Sequence, residues 1–174
     1  DLVLFDCPPA IGYQTLNAVC AADMLYVPSG PAYWEYDSTT SFIGQIADAL
    51  AHLPVDASTF PAGKVGAAKA FVDVRFLLTR YEPGNELHAA MFEAFRKVFG
   101  DRVCAHPVEQ TRAVEQAGRF LCSVYEMDYR DVTRETWKRA RRSFDRAYEE
   151  FEAHVASSWR GEPATTSGHA EPAA

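Results

Sequence analysis

Several signatures that would reveal a function directly are missing from this sequence. The P-loop pattern G-x-x-x-x-G-K-[S/T] is absent: the one Gly-Lys pair, Gly63-Lys64, is followed by Val65, and Ser58 stands where the loop needs its first glycine. The sequence also contains no G-x-S-x-G and no H-E-x-x-H. It therefore lacks the local signatures of α/β-hydrolases and zincin metalloproteases.

Cysteine and long apolar runs are also scarce. The four cysteines, Cys7, Cys20, Cys104 and Cys122, are widely scattered and form no C-x-x-C pair. This spacing favours reduced thiols in a cytosolic protein over a disulfide framework or a zinc motif. No signal peptide is visible, and no run approaches the ~20 apolar residues of a membrane span. We therefore expect a cytoplasmic protein with no membrane partner.

Positive charge is in deficit, since 17 Lys and Arg face 24 Asp and Glu and leave a net charge of −7. This net charge does not indicate a general affinity for nucleic acid, so any such contact requires a local patch. One patch lies between 130 and 146, where Arg134, Lys138, Arg141 and Arg142 share a predicted helix face. We interpret this face as DNA-binding, and the alternative is a solvated face with i,i+4 ion pairs.

Predicted strands and helices alternate along the chain, which indicates an α/β fold with a mostly parallel sheet flanked by helices. Strands are expected at 2–5, 24–27, 71–78 and 103–105, and helices at 13–22, from 37 or 38 to 50, 87–98, 108–117 and 132–155. Residues 54–70 are interpreted as a surface excursion. The domain is expected over 1–155, followed by a disordered tail over 156–174.

The first strand carries the strongest chemical signal. Its apolar run ends on Asp6, and Pro8, Pro9 and Gly12 follow. An Asp at the carboxyl end of a buried strand lies where open α/β sheets bind ligands, as in a Walker B strand. Asp6 would hold the water shell of Mg²⁺, and Pro8, Pro9 and Gly12 would shape a loop that senses the γ-phosphate. The alternatives are an Asp that caps the loop and ordinary turn residues.

The order of several short motifs resembles the ParA family of partition ATPases. The first motifs are Asp6-Cys-Pro-Pro-Ala-Ile-Gly12, Thr15-Leu-Asn-Ala18 and Ala21-Ala-Asp23-Met-Leu-Tyr-Val-Pro28. The later ones resemble its RepA branch, from RepABC plasmid replicons: Phe76-Leu-Leu-Thr-Arg-Tyr-Glu-Pro83, Phe95-Arg-Lys-Val-Phe-Gly-Asp101, Val114-Glu-Gln-Ala-Gly118, Val124-Tyr-Glu126 and Thr133-Arg-Glu-Thr-Trp-Lys-Arg-Ala140. The resemblance extends over residues 1–155.

This resemblance implies a P-loop NTPase of the deviant Walker type, present here as its carboxyl-terminal part. It implies ATP and Mg²⁺ as cofactors, a homodimer that binds DNA non-specifically near the nucleoid, and a partner of the ParB type (RepB in this branch). The family takes its base-contacting residues from positions that correspond to Arg80 and Pro107. The alternatives are a surface Arg and a helix-opening Pro, and His106 is interpreted as structural.

The chain departs from the family in lacking the Walker A segment and the amino-terminal DNA-binding region. One alternative is therefore a truncated, non-catalytic interaction module with a P-loop-like fold. Another is a MinD-like or cobyrinic-acid-synthase-like relative. The stretches 79–83 and 124–126 favour the RepA branch over these relatives.

Without the lysines and amides that cradle the phosphates, we expect the 174-residue chain to hydrolyse no ATP measurably by itself. An ATPase assay with and without an added amino-terminal half tests this expectation. Robust turnover by the chain alone would contradict it.

Overall fold

A computed structural model describes residues 1–8, 10–51 and 71–160. Within these ranges the helices are α1 (Tyr13–Ala21), α2 (Tyr33–Ala51), α3 (Glu86–Phe99), α4 (Arg112–Arg119) and α5 (Arg134–Trp159), and the strands are β1 (Met24–Ser29) and β2 (Asp73–Leu78). The chain divides into two compact units. The first unit contains residues 1–25 and 37–74, and the second contains residues 26–36 and those from 75 onward.

Strands β1 and β2 form a small parallel sheet. In the first unit, the N–H of Val72 donates to the carbonyl of Asp23 at 2.8 Å, and in the second unit Thr79 donates to Ser29 at 2.8 Å. Residue numbers therefore rise together on the two strands, from Asp23 to Ser29 and from Val72 to Thr79, as they do in a parallel pair. The predicted α/β class with a parallel sheet is therefore confirmed on this small scale.

A third extended segment lies along β2 in the second unit. Val103 and Glu109 form isolated parallel bridges with Phe76 and Tyr81. The N–H of Cys104 donates to Phe76 at 2.9 Å. Within the predicted strand at 103–105 only Val103 forms a bridge, because the chain bends at Ala105 and His106 before Glu109 pairs again.

The structure contradicts the predicted buried strand at 2–5. Residues 1–8 contain no regular secondary structure, and Leu4 is 73% exposed while Phe5 is 57% exposed. A strand needs a neighbour whose backbone completes its hydrogen bonds and whose side chains cover its apolar face. No strand among the described residues fills that place.

Local hydrogen bonds explain where α1 and α2 begin. The buried hydroxyl of Thr15 donates to the carbonyl of Ala10 at 2.7 Å and secures the turn that precedes α1. The predicted start of α2 at 37 or 38 is wrong. The N–H groups of Glu35 and Tyr36 already donate to the carbonyl of Ala32, at 3.1 and 3.0 Å, so the helix starts at Tyr33.

The core of the second unit lies between β2 and α3. Leu78 and Phe95 are completely buried, and Phe76 stacks on Phe99 with ring centroids 3.9 Å apart. The Asn85 side chain caps α3 by accepting from two N–H groups of its first turn, as expected for an N-cap asparagine. Helix α3 therefore presents one apolar stripe to the sheet.

Helices α4 and α5 share a second apolar cluster, formed by Ala113, Ala117, Val124, Met127 and Ala140. The predicted helix at 108–117 starts late, at Arg112, because Thr111 caps it and residues 108–110 are paired with Tyr81. Helix α5 begins after its cap Thr133 and ends at Trp159, four residues beyond the predicted domain boundary at 155. Residues 54–70 and 161–174 lie outside the described residues.

We expect Phe95→Ala to reduce the free energy of unfolding by about 3–5 kcal/mol, because a fully buried ring leaves a cavity when it is truncated. Urea unfolding followed by circular dichroism measures this change. Val98→Ala, on the same helix at a position that is 55% exposed, is the matched control and should change stability by less than about 0.5 kcal/mol. Equal effects of the two substitutions would contradict the packing described for α3.

Candidate nucleotide residues and basic helix face

The residues predicted to bind nucleotide are divided between the two units. Asp6, Pro8 and Gly12 belong to the first unit, whereas Arg80 and Pro107 belong to the second. Asp6 and Pro8 lie in the exposed segment 1–8. Pro9 lies outside the described residues. The role of these residues in binding ATP and Mg²⁺ therefore stays a prediction.

Gly12 is the N-cap of α1. Its φ of −115° and ψ of 176° are extended values that any residue can adopt, and no atom lies within 4 Å of a Cβ added there. Neither backbone strain nor crowding within the described residues therefore requires glycine at this position.

Arg80 follows β2 in the left-handed region, with a φ of 56°. Its guanidinium is paired with the carboxylate of Glu35 in the first turn of α2. Gly30 makes room for this pair, since a Cβ at Gly30 would collide with the Glu35 carboxylate and lie 2.6 Å from Nη2 of Arg80. The Glu35 partner was not predicted, because the two residues are 45 positions apart in sequence.

Pro107 does not open a helix, so that alternative is wrong: α4 begins only at Arg112. Pro107 is half-buried, and its carbonyl accepts a hydrogen bond from the Ser143 hydroxyl at 3.4 Å. The same hydroxyl accepts from the N–H of Glu109 at 2.7 Å. The segment around Pro107 is therefore anchored to α5 by a buried serine.

His106 is anchored to α5 as well, which agrees with its structural interpretation. Its N–H donates to Glu150 Oε2 at 3.0 Å, and its Nδ1 lies 3.1 Å from the same oxygen. The N–H of Ala105 donates to the other oxygen of Glu150 at 2.7 Å. The sequence suggests that Glu150 belongs to a solvated helix end, and this interpretation is wrong, because its carboxylate holds the segment from Ala105 to His106.

Three of the four residues predicted to contact DNA form an exposed row on α5. Arg134, Lys138 and Arg142 are four residues apart and therefore lie one above another along one side of the helix. All three are exposed, and none of them belongs to an ion pair found among residues 1–8, 10–51 and 71–160. We call these three residues the basic row.

Arg141, the fourth predicted residue, is held differently. It is half-buried, and its guanidinium carbon lies 5.1 Å from the centroid of the Tyr125 ring and 4.9 Å from that of Trp137. Such contacts are cation–π interactions. Arg139 pairs with Glu109 at 3.3 Å, outside its own helix. The i,i+4 ion pairs of the alternative interpretation are thus not found along the described part of α5.

Tyr125 also contacts an acidic residue of α5. Its hydroxyl donates to the Asp145 carboxylate at 2.7 Å. Burial of the phenol, the hydrogen bond to Asp145 and the charge of that carboxylate together raise the pKa of Tyr125 from 10.0 to about 12, while Arg141 acts in the opposite direction. The phenol is therefore a hydrogen-bond donor throughout the physiological pH range.

Comparison with known proteins places the chain among partition proteins, although no family model matches it. It is 30% identical over 159 residues to a "Putative replication protein A" of Rhizobium rhizogenes. This alignment spans 91% of this chain and 37% of that protein. It is 32% identical over 143 residues to Protein SopA of Escherichia coli strain K12, covering 80% of this chain and 34% of SopA.

The chromosome partitioning protein ParA of Caulobacter vibrioides (strain NA1000 / CB15N) is 27% identical over 118 residues, with 68% of this chain and 39% of that protein covered. The chain belongs to the ParA family. The resemblance drawn from its motifs is confirmed. The chain spans little more than a third of the length of these ParA-family relatives.

None of the helices in the described part of this ParA-family chain combines the length and the apolar character needed to span a membrane.

The raised pKa of Tyr125 gives a pH dependence with a definite sign. Because the folded-state pKa exceeds the unfolded value, the Tyr125–Asp145 interaction stabilises the fold fully below pH 10.0, and this stabilisation is lost as the pH rises through about 12. An absorbance titration should show a tyrosine that ionises near 12. Tyr125→Phe should remove that transition, and Asp145→Asn should lower it.

Tyr129→Phe is the matched control, since it removes a nearby exposed phenol and should leave the transition near 12 in place. A titration in which Tyr125→Phe leaves the highest transition unchanged would contradict the assignment.

Proposed function

We propose that this chain is part of a plasmid-partition (DNA segregation) ATPase of the RepA type. In this proposal the complete protein binds ATP and Mg²⁺, dimerises, binds DNA without sequence preference and engages a ParB/RepB-type partner in the cytoplasm at the nucleoid. Membership in the ParA family and the similarity to SopA and to replication protein A support it.

The observation that carries the DNA-binding part is the basic row. Arg134 and Arg142 are eight residues apart, which corresponds to about 12 Å along a helix at ~1.5 Å per residue. Three exposed cations on this line suit the closely spaced phosphates of a duplex. The whole chain is acidic, with a net charge of −7, so the row is a local exception to the charge of the protein.

Arg141 contributes to the same surface in an indirect way. Its guanidinium contacts the Tyr125 and Trp137 rings and so holds these two side chains beside the basic row. A guanidinium above a ring keeps its charge and retains N–H groups that can donate to a phosphate. We therefore assign phosphate contact to Arg134, Lys138 and Arg142, and a supporting position to Arg141.

The nucleotide part of the proposal rests on family membership and on residue type. Asp6 would hold Mg²⁺ through water, and Pro8, Pro9 and Gly12 would form the loop that responds to the γ-phosphate. Arg80 and Pro107 would flank the adenine. Because the guanidinium of Arg80 is paired with Glu35 here, base binding by Arg80 would require exchange of that partner.

The DNA-binding part is tested by Arg134→Ala/Lys138→Ala/Arg142→Ala in the complete protein with ATP present. Affinity for an unrelated duplex, measured by fluorescence anisotropy over a salt series, should fall. The slope of log K against log salt should become shallower by about 0.9 for each lost phosphate contact, or ~2.7 in total.

The control is Arg96→Ala/Lys97→Ala/Arg102→Ala, which removes the same charge from exposed positions in α3 and the turn after it. It should leave the salt slope close to that of the unmodified protein. Equal losses in both variants would mean that only net charge matters, and an unchanged slope in the α5 variant would contradict the proposal.

A further inference from the structure

A second set of chemically reactive side chains meets far along the chain from the predicted nucleotide residues. Cys104, Glu150 and His154 each offer one ligand atom, and these atoms all lie within 4.8 Å of one another. All three belong to the second unit. Glu150 and His154 are one turn apart on α5 and thus share a helix face, whereas Cys104 follows the bridge residue Val103 beside β2.

The Glu150 carboxylate is already oriented by its surroundings. It accepts from the N–H groups of Ala105 and His106, at 2.7 and 3.0 Å, and lies 3.1 Å from Nδ1 of His106. A carboxylate has about four lone-pair positions, so these three contacts leave capacity for one more ligand. Contacts of this kind hold a ligating carboxylate in place around a metal.

The His154 ring is oriented as well. Its Nδ1 is hydrogen-bonded to the hydroxyl of Tyr26, and the Tyr26 ring packs edge-on against Phe151 with centroids 5.0 Å apart. When Nδ1 carries the proton and donates it to the hydroxyl, Nε2 presents a lone pair. A fixed tautomer of this kind is typical of metal-binding histidines.

The surroundings provide access and a suitable charge balance. A cavity of about 370 Å³ is lined by Glu150 and His154, with Arg75, Arg96 and the acidic Asp101 in the same wall. Two arginines would repel a bare cation. A divalent metal bound by a thiolate, a carboxylate and a neutral imidazole has no net charge, so the arginines impose little penalty on the complete site.

We propose that Cys104, Glu150 and His154 form a Zn²⁺-binding site with solvent from the cavity as the fourth ligand. Thiolate and imidazole select Zn²⁺ over Mg²⁺, which prefers oxygen. Bonds of about 2.0–2.3 Å to one metal ion bring its ligand atoms close together, which is compatible with three ligand atoms that all lie within 4.8 Å of one another. The site is distinct from the Mg²⁺ role proposed for Asp6 and does not depend on ATP.

The test uses Co²⁺ as a spectroscopic probe of the 174-residue chain. Co²⁺ should bind with one equivalent and produce a thiolate-to-metal charge-transfer band that Zn²⁺ abolishes and excess Mg²⁺ leaves unchanged. Zn²⁺ should also raise the melting temperature, since the three ligands are brought together only in the folded chain. Cys104→Ser should eliminate the band, and His154→Gln should weaken Co²⁺ binding at least tenfold.

Cys122→Ser is the matched control, because Cys122 is a half-buried cysteine packed against the α4–α5 cluster. It should retain the band. Because Cys104 is buried and its variant is at risk of misfolding, His154→Gln, checked for folding by circular dichroism, supplies an independent result. Absence of the band in the unmodified chain, its persistence in Cys104→Ser, or unchanged binding by folded His154→Gln would overturn the proposal.

Discussion

The second unit depends on the way its segment 103–109 is fixed between β2 and α5. On one side, the N–H groups of Cys104 and Val108 donate to β2, at 2.9 and 2.8 Å. On the other side, Ser143 and Glu150 of α5 satisfy backbone groups at 105–109. Only two residues of this segment form bridges, and the side chains of Ser143 and Glu150 supply hydrogen-bond partners for backbone groups of Ala105, His106, Pro107 and Glu109.

This arrangement determines which face of α5 is available for binding. Ser143 and Glu150 face the segment, and Ala140 packs into the cluster with α4. The basic row is consequently left on the solvent side, where its charges meet no acidic partner among the ion pairs of the described residues. The same anchoring brings Cys104 beside Glu150 and His154. One structural constraint therefore underlies both proposed sites.

Local patterns predicted much of the fold. Helices α1, α3 and α5 follow from apolar periodicity, whereas the caps Asn85 and Thr133, which fix where α3 and α5 begin, are seen only in the structure. The strand at 2–5 was wrong because burial depends on neighbours that a local pattern does not contain. The Arg80–Glu35 pair and the Cys104 cluster joined residues about 45 or more positions apart, so no spacing rule could reveal them. The basic row could be predicted from the sequence because its three residues recur every four positions along one helix.

Our central proposal is that this chain is part of an ATP-controlled, DNA-binding partition protein. The most direct test measures binding of the complete protein to unrelated duplex DNA with ATP, with ADP and without nucleotide. The account predicts strong binding with ATP alone and weak binding in the other two conditions. Binding of equal strength in all three conditions, or none in any, would contradict it.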